Sequence, residues 1–312
     1  MSTKNNFFSH RIDSENQDVA IDDMLLSNVT ITIKREDTLH EFVSGNKYRK
    51  LKYNVTEAIK NNTSCLLTFG GAYSNHIAAV ASAGFEMGLE TIGIIRGEEI
   101  ADRMADNPTL SFAKSKGMHL HFISREEYSK KTDLDFIKGL REKFGAFYLI
   151  PEGGTNALAV KGCEEILNTK DLDFDYICTP VGTGGTIAGL VSASGTNQSV
   201  IGFSSLKGTF QSEVIEVFTA KKNYYLTDAY CFGGYAKIDS QLIRFINEFK
   251  KNYGIPLDPI YTGKMMFGIF DLLKQGYFKE NSRILAVHTG GLQGIAGMNQ
   301  LLENKKLPQI NL

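Results

Sequence analysis

Short apolar runs of about five residues recur along the chain, and each ends in glycine or polar residues, as buried β-strands do. These runs predict strands at 65–69, 91–96, 120–124, 147–151, 176–180, 200–204 and 284–288. Stretches with helical periodicity lie between them, at 76–88, 156–167, 186–195, 240–254 and 263–276. This alternation predicts an α/β fold in which helices cover both faces of open parallel sheets.

The predicted strands form two groups, at about 65–124 and 147–288, on either side of the charged helical stretch 124–145. A chain of 312 residues has the length of about two ordinary domains. No proline- or glycine-rich linker separates the groups, so the sequence predicts two open-sheet domains but does not mark their boundary.

Composition and charge narrow the class of protein. A formal charge of -1 and dispersed lysines and arginines give no electrostatic footprint for nucleic acid or an anionic membrane. The polar N-terminus (1–18) lacks a secretory apolar stretch, and no apolar run approaches the ~20 residues of a membrane helix. The four cysteines are widely spaced without a CxxC pair, which favours reduced thiols in a cytoplasmic protein over disulfides or a zinc site.

Parallel sheets bind ligands in the loops that follow the carboxyl ends of their strands, so we expect the functional residues of this chain in those loops. The segment VGTGGTIAGL (181–190) follows a predicted strand and precedes a helix. It offers three glycines and two hydroxyl donors: Gly182, Gly184, Gly185, Thr183 and Thr186. Backbone N–H groups and the helix dipole there would hold an anion, which favours a phosphate cup over a plain tight turn. The loop has no lysine and lacks the P-loop and dinucleotide patterns.

Two further strand ends carry polar groups. In TFGGAYSNHIAAVA (68–81), a hydroxyl, an amide and an imidazole crowd one turn, at Ser74, Asn75 and His76. They could bind a carboxylate or move a proton, although helix capping is the usual reason for serine and asparagine there. In HTGGLQG (288–294), Thr289 stands beside glycines that allow a ligand to approach, and a structural turn is an equally good interpretation.

A fourth segment, SGNKYRKL (44–51), places Lys47 at the start of an amphipathic helix. The helix dipole disfavours a cation there and would lower its pKa, as a nucleophilic amine requires. An exposed lysine beside Arg49 and Lys50 is nevertheless the commoner situation, and composition and spacing leave that interpretation ahead.

Seven blocks of the sequence resemble one family and occur in its order. They are KREDTLHEFVSGNKYRKL, TFGGAYSNHIAAVA, IPEGGTNALAVKG, TPVGTGGTIAGL, FGGYAKI, PIYTGKMMFGI and HTGGLQG. The family is that of 1-aminocyclopropane-1-carboxylate (ACC) deaminase and D-cysteine desulfhydrase, which are pyridoxal-phosphate enzymes of fold type II. The resemblance runs from about residue 8 to the C-terminus.

The resemblance implies roles for particular residues. Lys47 resembles the lysine that carries pyridoxal phosphate, Asn75 the partner of its ring hydroxyl, and Thr289 the hydroxyl at its pyridine nitrogen. The loop 182–186 is similar to the family's phosphate cup. Ser74 and His76 resemble groups that hold the substrate carboxylate and handle protons, with Asn75 beside them. Tyr235 and Tyr261 resemble aromatic residues of the substrate site, and Tyr261 is expected to act in catalysis with Lys47 and Ser74.

Thr262 bears on the choice of reaction. Ring-opening deaminases of the family carry glutamate at this position, directly after the tyrosine equivalent to Tyr261. A glutamate can hold the pyridine nitrogen protonated and make the ring a stronger electron sink, whereas elimination of sulfide needs less help. With Thr262 in the substrate site, the sequence favours D-cysteine desulfhydrase over ACC deaminase.

The expected reaction is therefore an elimination that converts D-cysteine into pyruvate, hydrogen sulfide and ammonia. ACC deamination, racemisation of a small amino acid, and a non-catalytic protein that binds a phosphorylated ligand are the alternatives. The resemblance also implies a homodimer, with a large domain at 1–49 and 153–312 and a small inserted domain at 50–152.

Overall fold

The structure of the protein, a computed structural model, describes residues 7–8, 12–21 and 28–311. Residues 1–6 and 9–11 of the polar N-terminal segment lie outside the described residues. The strands are β1 (Asn16–Val19), β2 (Thr30–Lys34), β3 (Cys65–Gly70), β4 (Glu90–Arg96), β5 (His119–Ile123), β6 (Tyr148–Ile150), β7 (Tyr176–Val181), β8 (Ser199–Ser204), β9 (Tyr224–Thr227) and β10 (Arg283–Val287).

The α-helices alternate with these strands. They are α1 (Asn46–Lys60), α2 (Asn75–Met87), α3 (Pro108–Ser115), α4 (Arg125–Ser129), α5 (Leu134–Phe144), α6 (Ala157–Glu164), α7 (Gly185–Ala193), α8 (Gln211–Phe218), α9 (Ser240–Tyr253), α10 (Thr262–Lys274) and α11 (Gly294–Asn304). In the described part of the chain, no helix is both long and apolar enough to cross a membrane.

The strands form two sheets. The larger has the order β1-β2-β10-β7-β8-β9, and the smaller has the order β5-β4-β3-β6. Neighbouring strands are parallel throughout the smaller sheet, and in the larger sheet only β1 and β2 are antiparallel. The α/β fold with two open, mainly parallel sheets is thus confirmed, with one antiparallel edge strand added.

Helices cover both faces of each sheet because successive strand residues point to opposite sides. On β10, Ile284 and Ala286 pack against α9, α10 and α11, whereas Leu285 and Val287 pack against α6, α7 and α8. The smaller sheet lies between α1, α2 and α3 on one face and α4 and α5 on the other. The four cysteines are buried as free thiols.

Helix α1 packs between the helix layers of the two sheets. Its apolar face, formed by Tyr48, Leu51, Val55 and Ala58, is buried, and the helix packs against both α2 and α6. The strands of the smaller sheet all fall between residues 65 and 150, while the larger sheet uses chain from both sides of that segment. The boundaries 1–49 and 153–312 for the large domain and 50–152 for the small one stay a prediction.

Candidate active site

A cavity of about 710 Å³ is enclosed by loops that leave the carboxyl ends of strands in both sheets. Loops after β3, β4 and β6 form one side of it, and loops after β7 and β10 form the other. The first turn of α1 also lines the cavity, through Asn46, Lys47 and Lys50. All four segments that the sequence singled out therefore reach one cavity, at the place where parallel sheets bind ligands.

Lys47 is held at the cavity by the tight start of α1. Gly45 has a φ of +62°, and a Cβ added to it would lie 1.9 Å from the carbonyl oxygen of Thr289, so only glycine fits there. The N–H of Asn46 donates to that same oxygen at 3.3 Å. The Nζ of Lys47 donates to Asn46 Oδ1 at 3.1 Å, and burial, followed by the charge of Lys50, lowers the pKa of Lys47 to about 7.

The glycine loop forms an anion cradle at the N-terminus of α7. Gly184 has a φ of +90°, and α7 begins at Gly185 without a side-chain cap, which leaves its first N–H groups open. Gly182, Thr183, Gly184 and Thr186 lie on the cavity wall. Such a helix start combines free donors with the positive end of the dipole and suits a phosphate.

A lysine completes the cradle, which corrects the expectation of a cup without one. The Nζ of Lys50 donates to the Gly153 carbonyl at 3.0 Å and approaches the hydroxyls of Thr155 at 3.2 Å and Thr183 at 3.5 Å. Lys50 is only 2% exposed, and burial lowers its pKa. Arg49 is buried as well, in an ion pair with Glu36 at 2.8 Å, so the interpretation of this segment as exposed charge is wrong.

Asn46 forms hydrogen bonds with both Lys47 and the glycine loop. Its Nδ2 donates to the hydroxyl of Thr186 at 2.8 Å, while its Oδ1 accepts from Lys47. The amide thus fixes the distance between the amine and the anion cradle.

Asn75 and Ser74 begin α2 at the cavity wall. Ser74 Oγ accepts from the N–H of Ile77 at 3.3 Å as the helix cap, which leaves its own proton free to donate. The Oδ1 of Asn75 is buried and has no hydrogen-bond partner, although buried polar atoms are almost always paired. An unpaired amide oxygen on the wall of a cavity is available to accept a hydrogen bond from a ligand.

His76 lies beside these residues but is turned mainly into the protein. Its Nε2 is 2.8 Å from Thr68 Oγ1, which itself donates to the Ile150 carbonyl, so the imidazole proton sits on Nε2. Burial and the nearby lysines hold the pKa of His76 well below its usual range. The imidazole is therefore neutral, and its buried Nδ1 has no partner.

The two predicted tyrosines meet at the cavity. The rings of Tyr235 and Tyr261 are 6.3 Å apart, edge to face, and each hydroxyl influences the pKa of the other. A Cβ on Gly182 would lie 3.2 Å from the Tyr261 ring, so this ring covers the glycine loop. Burial raises the pKa of both phenols, and both therefore remain protonated hydrogen-bond donors.

Thr289 lies on the cavity wall, but Thr262 does not. The Thr262 side chain is fully buried, donates to Asp258 Oδ1 at 2.7 Å and accepts from the Asp258 N–H at 2.9 Å. Both hydrogen bonds of its hydroxyl therefore stabilise the turn before α10. This corrects the expectation that Thr262 contacts the substrate.

Sequence reasoning missed several cavity residues. Lys50, Asn46, Arg96 and Glu152 all lie on the wall. Lys50 follows Lys47 by three positions and therefore shares its helix face, a signal that the sequence contained. Arg96 and Glu152 sit at the ends of predicted strands, but nothing in their local sequence distinguishes them from ordinary surface charge.

The assembled groups fit pyridoxal phosphate. An amine with a pKa of about 7 is suited to react with an aldehyde, and the cradle with Lys50 is suited to a phosphate. Gly290 and Gly291 keep the wall beside Asn75 free of side chains, since a Cβ on Gly291 would lie 2.7 Å from Asn75 Nδ2. A flat ring can occupy that space and meet the unpaired Asn75 oxygen.

Comparison with known proteins points to the same cofactor. Residues 24–290 match the family model described as pyridoxal-phosphate dependent enzyme. The bifunctional D-cysteine desulfhydrase/ACC deaminase, mitochondrial, of Arabidopsis thaliana is 30% identical over 87% of this chain and 74% of its own length. The ACC deaminase of a Bradyrhizobium strain is 27% identical over 88% and 90% of the two chains.

A solved structure extends the likeness to the fold. The crystal structure of an ACC deaminase homologue superposes with a TM-score of 0.79 and 25% sequence identity, over 97% of this chain and 99% of the other. The two sequence matches cover 87% and 88% of this chain, and the fold match covers 97% of it.

Proposed function

The chain belongs to the family of pyridoxal-phosphate-dependent enzymes, and on that premise we propose that it eliminates hydrogen sulfide from D-cysteine and releases pyruvate and ammonia. The observation that carries the proposal is the set of charged groups on the cavity wall. It joins an amine with a pKa of about 7 to an anion cradle, and Glu152 is the only carboxylate side chain among its described residues.

The residues proposed to hold the cofactor come from both sheets. Lys47 would bind its aldehyde, the loop 182–186 with Lys50 its phosphate, Asn75 its ring hydroxyl and Thr289 its pyridine nitrogen. When bound, pyridoxal phosphate withdraws electrons from the α-carbon of an amino acid, so that the α-proton can be removed. The unpaired Oδ1 of Asn75 and the open N–H groups of α7 support this arrangement.

The remaining steps fall to side chains of the chain itself. Lys47, once its amine is free, accepts the α-proton at Nζ, and its lowered pKa leaves a large fraction of the amine neutral for that task. Ser74 and the start of α2 would donate hydrogen bonds to the substrate carboxylate. His76 acts only as a neutral acceptor, because burial prevents its protonation. Tyr235 and Tyr261 would shape the pocket and donate to the departing sulfur.

ACC ring opening is the second candidate, because the Arabidopsis relative is named for both activities. The position after Tyr261 argues against it. Thr262 cannot protonate the pyridine nitrogen, and its hydroxyl is held by Asp258 behind the wall. Thr289, a neutral hydroxyl, is the side chain proposed for that nitrogen, and it leaves the ring a weaker electron sink.

A substrate panel tests the proposal. The purified protein, loaded with pyridoxal phosphate, is given D-cysteine, L-cysteine and ACC while pyruvate, sulfide and 2-oxobutyrate are measured. We expect pyruvate and sulfide in equal amounts from D-cysteine and little 2-oxobutyrate from ACC. Release of 2-oxobutyrate from ACC as the dominant activity would refute the choice of reaction.

We further propose that the enzyme is a cytoplasmic homodimer. The four buried free thiols fit a reducing compartment, and the dimer follows from the family resemblance. The name of the Arabidopsis relative places that protein in mitochondria, so the compartment is a property to be measured for each member. Light scattering after gel filtration tests the dimer, and a monomer mass would refute it.

A further inference from the structure

Arg96 is a cation on the cavity wall that the cofactor and the reaction leave unused. Among the residues that the structure describes, it makes no ion pair with a carboxylate. Its guanidinium lies over the Tyr128 ring at 5.7 Å, a contact that leaves its N–H donors free. An unpaired guanidinium beside a ligand cavity is suited to bind an anion.

The other charges at the mouth already have partners. Arg125 pairs with Glu99 at 3.0 Å. Glu152 accepts from the Tyr128 hydroxyl at 2.7 Å and lies 3.5 Å from the amine of Lys131. Lys131 therefore compensates the negative charge of Glu152, and the positive charge of Arg96 stays unpaired at the cavity.

The position of Arg96 separates it from the phosphate cradle and places it at the edge of the turn before α2. It ends β4 and is exposed, and its Nη2 is 3.8 Å from the point where a Cβ on Gly71 would stand. Gly71 begins the turn that leads to Ser74, whereas the phosphate cradle lies across the cavity beside Tyr261. Arg96 also acts electrostatically on the hydroxyl of Tyr235, so its charge reaches the space where a substrate side chain would extend.

We propose that Arg96 selects amino acids whose side chain ends in a carboxylate, so that the preferred substrates carry an anionic group on the departing sulfur. This inference rests on the proposed elimination and names its substrate class. D-Cysteine is then the smallest substrate, and an S-carboxymethyl group adds a carboxylate within reach of the guanidinium. Lys47 takes the α-proton, the Cβ–S bond breaks with its electron pair on sulfur, and thioglycolate leaves as the thiolate, which takes up a proton from water. The remaining three-carbon enamine takes up water and gives pyruvate and ammonia.

A matched pair of substrates isolates the charge. S-Carboxymethyl-D-cysteine and S-carbamoylmethyl-D-cysteine have nearly the same shape and differ by one negative charge. With the cofactor-loaded wild type we expect KM to be about three- to tenfold lower for the acid than for the amide, and the difference to shrink in high salt. Arg96→Met should abolish the difference and change kcat/KM for D-cysteine less than about twofold.

Arg125→Met is the control, because it removes a paired cation at the same mouth and should leave the acid preference intact. Calorimetric binding of both compounds to the loaded protein gives a readout that does not depend on turnover. If pyruvate is never released, the proposed reaction fails, and the binding preference still decides the role of Arg96. A preference unchanged in Arg96→Met would overturn this inference, and so would an equal loss for acid, amide and D-cysteine, which would mean that Arg96 serves the α-carboxylate.

Discussion

Lys47 and Lys50, three residues apart on one helix, are adapted to different tasks by their surroundings. Lys47 makes one hydrogen bond, to Asn46, and its pKa of about 7 leaves a large neutral fraction at physiological pH. Lys50 points its amine at a carbonyl and two hydroxyls and can stay charged there as a phosphate partner. The charge of Lys50 also helps to lower the pKa of its neighbour. One turn of helix thus supplies a nucleophile and an anion ligand.

The division of labour between these lysines predicts the effect of Lys50→Met. Loss of a charged donor to phosphate should weaken pyridoxal-phosphate binding about tenfold or more. Binding of pyridoxal, which lacks the phosphate, should change little. Fluorescence titration of the apoprotein with both compounds measures this. Lys52→Met is the matched control, because Lys52 lies on the same helix but pairs with Glu165. Equal losses for both compounds would contradict a phosphate role for Lys50.

At the scale of elements, the strands that build the site were predictable and some edge strands were not. All seven predicted strands exist, with ends within one residue of those expected, because buried parallel strands are continuous apolar runs. Strands β1, β2 and β9 were missed. β1 reads NQDV and is polar, β9 reads YYLT and has only four residues, and β2 contains Lys34, which is buried in an ion pair with Asp171. Burial of a paired charge depends on a residue far away in sequence, which no local pattern shows.

The candidate site was predictable as a set of strand ends, but the direction of individual side chains was not. Lys47, Asn75 and the loop 182–186 reach the cavity as expected. Thr262 does not, because its hydroxyl is satisfied by Asp258, which lies only four residues earlier in the chain. Hydrogen bonding of this kind decides orientation after the fold forms, and a pattern of residue types cannot rank it against a ligand contact.

Because the start of α1 packs closely against the loop after β10, we expect only glycine to be tolerated at position 45. In Gly45→Ala, the new Cβ would collide with the Thr289 carbonyl at 1.9 Å and the backbone would be strained at a positive φ. We expect a loss of about 2–4 kcal/mol in the free energy of unfolding, together with weaker cofactor binding. Gly117 has a φ of +84° and open space around it, so Gly117→Ala introduces the backbone strain without a steric collision, and we expect it to cost about 1 kcal/mol. Denaturant titration compares them, and equal losses would contradict the close packing at Gly45.

At the scale of the whole molecule, the site exists only when both sheets are assembled. Lys47 comes from α1, Asn75 follows a strand of the smaller sheet, and the loop 182–186 follows a strand of the larger one. Asn46 joins the parts by bonding Lys47 on one side and Thr186 on the other. Capture of the cofactor by Lys47 is therefore a test of the local chemistry and of the global arrangement together.

Borohydride trapping tests this central claim most directly. The protein is incubated with pyridoxal phosphate across a range of pH, reduced with borohydride, digested, and searched by mass spectrometry for the pyridoxyl-phosphate adduct. The account predicts one stoichiometric adduct on Lys47, none in Lys47→Ala, and a trapping rate that rises with pH through about 7 as the amine loses its proton. An adduct on Lys50 or another lysine, or a rate that rises only near pH 10, would contradict it.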